Sequence, residues 1–340
     1  MSVKRINLAL QGGGAHGAFT WGVLDRLLED ERLEIAAISG ASAGAMNGAA
    51  LKAGMAAGGR DGAKENLDWF WGQVGAVADD RVVAWMDAVA PDTPTLAAAM
   101  ANSPMAALMD MTSRLMSPYD QGPFYSNPLE PIVDKFKFEA VCGDTGPELF
   151  VGATNVRTGK VKIFTGDAIT SEALMASACL PTLFQAVEID GEAYWDGGYT
   201  GNPALFPLYA ESLPADIMVI NINPLHRAEV PTDTQAIQNR INEISFNSSL
   251  LRELRAINFV KRLLHDGSMT NGTMKDVLVH IISDDLLMND LNVATKSSPN
   301  PVVLARLKSA GRAAADAFLE QHFDDLGQRD TVNLVDMFDA

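Results

Sequence analysis

Cysteine is nearly absent from this chain of 340 residues: Cys142 and Cys179 are the only two, and both sit in apolar surroundings. Two thiols in no metal-ligand spacing give neither a zinc ribbon nor a disulfide framework, and they favour an intracellular setting. Basic residues are scarce as well. Against 43 acids stand 26 bases, a formal net charge of −17. That field repels polyanions, and no run of lysine or arginine overrides it, so nucleic acid is not an expected partner. Long apolar runs are missing: after Lys4 and Arg5 only "INLAL" precedes Gln11. A signal peptide needs a longer apolar stretch, and a membrane span about 20 apolar residues. The expectation is a cytoplasmic protein with peripheral membrane contact left open.

What is present is ordinary core material, with 47% hydrophobic and 20% charged residues. Strands are expected at 5–10, about 35–39, 148–153, 160–164, 186–189, 215–223 and 276–282. The first and "IMVINI" are nearly continuous apolar runs, as in strands covered on both faces. Helical spacing covers 16–30, 43–57, 63–77, 169–179, 233–264 and 301–321. In 233–264 the apolar residues Ile237, Ile241, Ile244, Leu251, Leu254 and Ile257 recur on one face, which is expected to pack on the sheet. Strand–helix–strand alternation at the start predicts a parallel α/β sheet with right-handed crossovers. Residues from about 60 to 130 hold no convincing strand and read as a helical insertion. Its methionines either pack between helices or form an adaptable apolar surface over a cleft. The expected organisation is a core at 1–225 carrying that insert, with a mainly helical 226–340 completing the same domain.

Gly12, Gly14 and Gly17 in "LALQGGGAHGAF" match G-x-G-x-x-G between a strand and a helix. A dinucleotide site also needs an acid at the end of the next strand, for the ribose hydroxyls. That strand ends "AAISGASAG", with no carboxylate there; Glu34 lies at its other end. A nucleotide-dependent oxidoreductase is therefore the weaker reading.

The same ending supplies a stronger one. "GASAG", residues 40–44, is G-x-S-x-G between a strand and a helix. Such an elbow lifts the Ser42 hydroxyl above the strand end and aims the next helix's N-terminus at the reaction centre. Small residues at Gly40, Ala41, Ala43 and Gly44 suit so tight a turn. Parallel strands place Gly12, Gly13 and Gly14 beside Ser42, where backbone N–H groups can converge on an oxyanion. The serine then needs a base. Asp196, followed by Gly197 and Gly198 after the strand-like "EAYW", is the candidate carboxylate. Alone, D-G-G equally reads as a plain turn.

Taken in order, GGGAHG at 12–17, GASAG at 40–44 and DGG at 196–198 resemble the motif set of the patatin-like phospholipases, or lipid acyl hydrolases. The resemblance covers roughly 5–225, with 60–130 as its variable part. It implies a three-layer α/β/α fold with a mainly parallel central sheet. It also implies a Ser–Asp dyad of Ser42 and Asp196, with the Gly12, Gly13 and Gly14 amides as oxyanion hole. One position departs: the family usually carries Arg or Lys where this chain has His16. A neutral imidazole there either tunes the site with pH or simply packs at the helix start.

The implied reaction is hydrolysis of a lipid acyl ester through an acyl-enzyme, with no metal or organic cofactor. Glycerophospholipids, lysophospholipids and neutral acylglycerols are all candidate substrates. A Ser–Asp–His esterase is the main alternative, with His226 in "NPLHR" as its best histidine. His280, inside the strand "VLVHII", suits a buried structural role. A non-catalytic lipid-binding protein would have no need of both Ser42 and Asp196.

Overall fold

A computed structural model describes residues 3–270 and 272–339. Eight strands share one sheet: β1 Lys4–Leu10, β2 Leu33–Ala41, β3 Glu148–Asn155, β4 Val161–Thr165, β5 Val187–Ile189, β6 Glu192–Asp196, β7 Asp216–Asn221 and β8 Leu278–Ser283. Their order is β5-β6-β3-β2-β1-β7-β8, with β4 also paired to β3. β1 lies parallel to β2 and β7, as do β2 to β3 and β7 to β8. β4 and β6 run antiparallel to β3, and β5 to β6.

Thirteen helices surround the sheet among the described residues: α1 Gly17–Leu27, α2 Ala43–Val74, α3 Asp80–Val89, α4 Thr93–Ala101, α5 Pro104–Leu115, α6 Glu130–Val133, α7 Phe138–Cys142, α8 Ser171–Ser177, α9 Thr234–His265, α10 Asp285–Asp290, α11 Val293–Ser297, α12 Pro301–His322 and α13 Leu334–Asp339. Successive strand residues point to opposite faces. Leu8 and Leu10 of β1, with Met218 and Ile220 of β7, join the core beneath α1, α2 and α12. Ala9, Ile217 and Val219 join the opposite core, with Leu250, Leu254 and Ile257 of α9. Continuous apolar strands are thus what a sheet covered on both sides requires. The result is the expected three-layer fold.

Two helical expectations are revised. The separate segments 43–57 and 63–77 form one run, interrupted where Gly58 and Gly59 leave helical dihedrals, Gly59 with φ 62°. The apolar stripe of α9 packs on the sheet only in its second half. Ile237, Ile241 and Ile244 are exposed, while Glu243 and Asn247 are buried in their place. The first half turns a polar face inward because it serves the polar groups at the strand ends, as described below. In the insert, Met100 packs against the core but Met105, Met111 and Met116 stay exposed. Among the described residues no helix is long and apolar enough to cross a membrane.

Candidate active site

Strand β3 fixes where Ser42 and Asp196 meet. One edge of β3 carries β4 along residues 150–154. The other edge carries β2, whose last residue Ala41 pairs with Gly152, and then β6, whose last residue Asp196 pairs with Ala153. β2 runs with β3 and β6 against it, so the two strands approach head to head. Their ends stop at successive residues of β3, which brings the residue after Ala41 to the residue that closes β6.

Ser42 turns the chain from β2 into α2 with φ 53° and ψ −126°. A non-glycine residue in such a conformation stores about 1–3 kcal/mol and persists only when its surroundings hold it there. Two bonds from Ser177 do so: the Ser42 N–H donates to Ser177 Oγ at 2.9 Å, and that hydroxyl donates to the Gly152 carbonyl at 2.6 Å. Gly40 and Gly44 flank the elbow, and a Cβ on Gly40 would fall 2.7 Å from the Ala45 nitrogen. Ser42 itself is 8% exposed.

The Asp196 carboxylate is buried, and the Gly198 N–H donates to its Oδ1 at 2.7 Å. Its Oδ2 is buried without a formed hydrogen bond. Burial pushes this carboxyl up to about 7, against the opposing pull of the Gly198 amide and the Ser42 hydroxyl. A base poised near neutrality suits proton transfer from a hydroxyl. The Asp196 backbone is held by Cys179, whose carbonyl accepts its N–H at 2.8 Å, and by Thr154, whose hydroxyl donates to its carbonyl at 2.8 Å. Burial pushes the Cys179 thiol up to about 12, so it stays protonated beside the carboxylate. Gly197 and Gly198 begin the turn behind Asp196.

The glycine loop lies against the elbow. A Cβ on Gly12 would come within 2.7 Å of the Ser42 Cβ and 2.8 Å of the Ala41 carbonyl oxygen, so no side chain fits there. Gly14 adopts φ +58°, a conformation glycine enters without cost. Gly17 opens α1 against Ala43. One expected role changes. The Gly12 N–H already donates to Asn202 Oδ1 at 2.7 Å, so it cannot also serve an oxyanion. Among the described residues the N–H groups of Gly13 and Gly14 have no partner.

His16 is buried, and its Nε2 shares a hydrogen bond of 2.8 Å with the Thr295 hydroxyl of α11. Burial, and then the nearby Lys296 charge, hold its pKa well below the ordinary value, so it stays neutral. It packs at the helix start.

Most of the scaffold around the loop was invisible to motif reading. Gln11 Oε1 accepts the N–H groups of Ile222 and Asn223, at 2.9 and 3.0 Å. Asn223 donates to the Gly12 carbonyl at 3.0 Å, and Asn247 of α9 donates to the carbonyls of Asn223 and Pro224 at 3.2 and 3.1 Å. These residues come from three separate segments. Only the "NIN" at the end of β7 offered a hint, as polar residues closing an apolar strand.

No histidine hydrogen-bonds Ser42 or Asp196 among the described residues. His226 is exposed on the loop after β7. His280 is buried between Asp216 at 3.0 Å and Thr331 at 3.2 Å. His322 pairs with Asp325 at 2.9 Å.

The family model described as patatin-like phospholipase matches residues 8–209, a span from β1 through the elbow and Asp196. The chain belongs to the patatin-like phospholipase family. Membership of this family suggests lipid acyl hydrolase activity. A similar solved structure is VipD from Legionella pneumophila, with 17% identity, a TM-score of 0.43, and coverage of 94% of this chain and 67% of that one. No curated protein matches the sequence. The patatin-like match ends near residue 209, so α9 and α11 shape this site from outside it.

Proposed function

We propose that this protein hydrolyses lipid acyl esters with Ser42 as nucleophile and Asp196 as its base. The observation that carries the reading is the head-to-head ending of β2 and β6 on β3, which sets an elbow serine against a buried carboxylate. Asp196 takes the Ser42 proton as Oγ attacks the ester carbonyl, and the Gly13 and Gly14 amides hold the resulting oxyanion. Each such donor is worth about 3–4 kcal/mol in comparable sites. The alcohol leaves with the proton from Asp196, leaving an acyl-enzyme. Water, deprotonated by Asp196, then attacks the acyl carbonyl. The fatty acid departs, and Ser42 recovers its proton.

Substrate delivery from a lipid surface fits the same reading. α5 exposes Met105, Leu108, Met111 and Leu115 at helical spacing, and α3 exposes Trp85 and Val89. The turn after α5 reaches the site: the Tyr119 and Tyr125 hydroxyls accept the N–H groups of Ala186 and Gln185, and the Gln185 carbonyl accepts from Cys179. An exposed apolar patch of this kind suits peripheral contact with lipid.

The test is fluorophosphonate labelling of the wild type and of Asp196→Asn, with the adduct located by mass spectrometry. A single adduct on Ser42, slowed at least a hundredfold in the Asn variant, supports the dyad. Unchanged labelling in that variant removes Asp196 as the base.

A further inference from the structure

The strands β2, β1 and β7 are neighbours, and their C-terminal ends carry Ser42, the glycine loop and Asn223 in that order. Beyond the loop from Ser42 stands a lysine. Lys296 of α11 is half-buried, and its ammonium donates to Asn223 Oδ1 at 2.8 Å. Among the described residues this is its only hydrogen bond, and it forms no ion pair. A buried ammonium has three donors, so two remain unused. The carboxylate that draws it most, Glu243, is itself occupied: Arg227 binds both its oxygens, at 2.6 and 2.8 Å, and Arg240 approaches at 3.2 Å. Three cations around one carboxylate leave a local positive excess in a protein whose formal net charge is −17. The two arginines also spend N–H groups on the carbonyls of Asn289, Pro224 and Leu225. Of the three cations, Lys296 makes the fewest hydrogen bonds and is the one that forms no ion pair among the described residues.

We propose that Lys296 is a specificity-determining residue, holding an anionic phosphate on the substrate's alcohol side while Ser42 attacks the ester. The inference rests on the acyl-hydrolase reading above. Its geometric support is the strand spacing: two spacings separate the ends of β2 and β7, about 10 Å. That suits a phosphate a few covalent bonds from the ester carbonyl, with the serine and lysine side chains spanning the remainder. The oxyanion itself lies nearer Ser42, at the unpaired amides of the glycine loop.

The charge on this subsite depends on pH. Burial lowers the Lys296 ammonium to about 8, with Glu243 of α9 raising it and Arg227 lowering it further. Arg240 of α9 stays paired, and His16 under α11 is neutral. Phosphate-bearing substrates therefore bind better below about pH 8 than above it.

The experiment compares wild type, Lys296→Gln and Lys296→Arg on a lysophosphatidylcholine and on the monoacylglycerol of equal chain length. Lys296→Gln should lower the ratio of kcat/KM for the phosphate ester to that for the neutral ester by about tenfold or more, through KM. Lys296→Arg should restore most of it. An unchanged ratio overturns the proposal, whether the two substrates lose activity together or keep it. Equilibrium binding of dodecylphosphocholine to Ser42→Ala, with and without Lys296→Gln, reads the subsite without turnover. Equal binding overturns the proposal; weaker binding in the Gln variant sustains it. If wild type hydrolyses neither lipid and Ser42 takes no label, the acyl-hydrolase reading fails, and the binding arm still decides the subsite.

Discussion

Asn202 Oδ1 accepts the Gly12 N–H at 2.7 Å, and this bond turns the first glycine of the loop from an oxyanion donor into a fixed strut. Asn202 is itself held by Ser249 of α9, whose hydroxyl accepts its N–H at 3.0 Å. The loop therefore takes its shape from a residue far away in sequence, and its two later amides are left open to the site.

Removing that acceptor should be costly. Asn202→Ala leaves a buried N–H unsatisfied, which costs about 1–3 kcal/mol. Urea unfolding should show that loss, and kcat should fall about tenfold because the neighbouring amides lose their alignment. A variant with wild-type kcat would mean the loop is held without Asn202.

Asp196 sets the pH behaviour. As the proposed base it must be ionised, so kcat/KM should rise with pH through about 7, its raised value. Stability runs the other way. A carboxyl raised from 3.8 to about 7 binds its proton more tightly in the fold than in the unfolded chain. Its stabilising contribution is complete below the ordinary value and is lost as pH climbs to about 7, on the order of 4 kcal/mol in all. Asp196→Asn should therefore lose activity yet melt higher than wild type at pH 8, with the gap closing near pH 4. Thermal melts at the two pH values test this.

Ser177 is expected to act on the nucleophile without touching substrate. Ser177→Ala removes the acceptor for the Ser42 N–H and the donor to Gly152. The strained elbow then relaxes, and fluorophosphonate labelling of Ser42 should slow about tenfold, with about 1–3 kcal/mol lost in stability. Ser177→Thr, which keeps the hydroxyl, should recover part of the labelling rate.

His226 is exposed and hydrogen-bonds neither Ser42 nor Asp196. His226→Ala should leave kcat/KM within about twofold, as surface substitutions usually do. Near-total loss would restore the triad.

The exposed apolar side chains of α3 and α5 should matter at a lipid surface. Trp85→Ser combined with Leu115→Ser should weaken sedimentation with phospholipid vesicles, because each buried apolar side chain contributes about 1.5–3 kcal/mol. Equal sedimentation would move the contact elsewhere, for instance to the exposed Ile237, Ile241 and Ile244 of α9.

Sequence by itself determined the parts governed by local rules. Apolar runs such as "IMVINI" fixed the buried parallel strands, because a strand covered on both faces leaves no polar alternation. The elbow at Ser42 and the glycine loop were legible because tight turns restrict residue type within a few positions. Tertiary structure decided what depends on pairing between distant segments. β6 meets β2 on a shared edge of β3, and no local pattern around "EAYWD" announces that edge. The burial that raises Asp196, the Asn202 bond that commits Gly12, and the approach of Lys296 over the loop arise only when the sheet closes. α9 shows the limit from the other side. Its apolar periodicity promised one buried face, yet its first half buries Glu243 and Asn247 and exposes its isoleucines. Periodicity records where side chains lie around a helix axis; the neighbours those side chains meet are set by the rest of the chain.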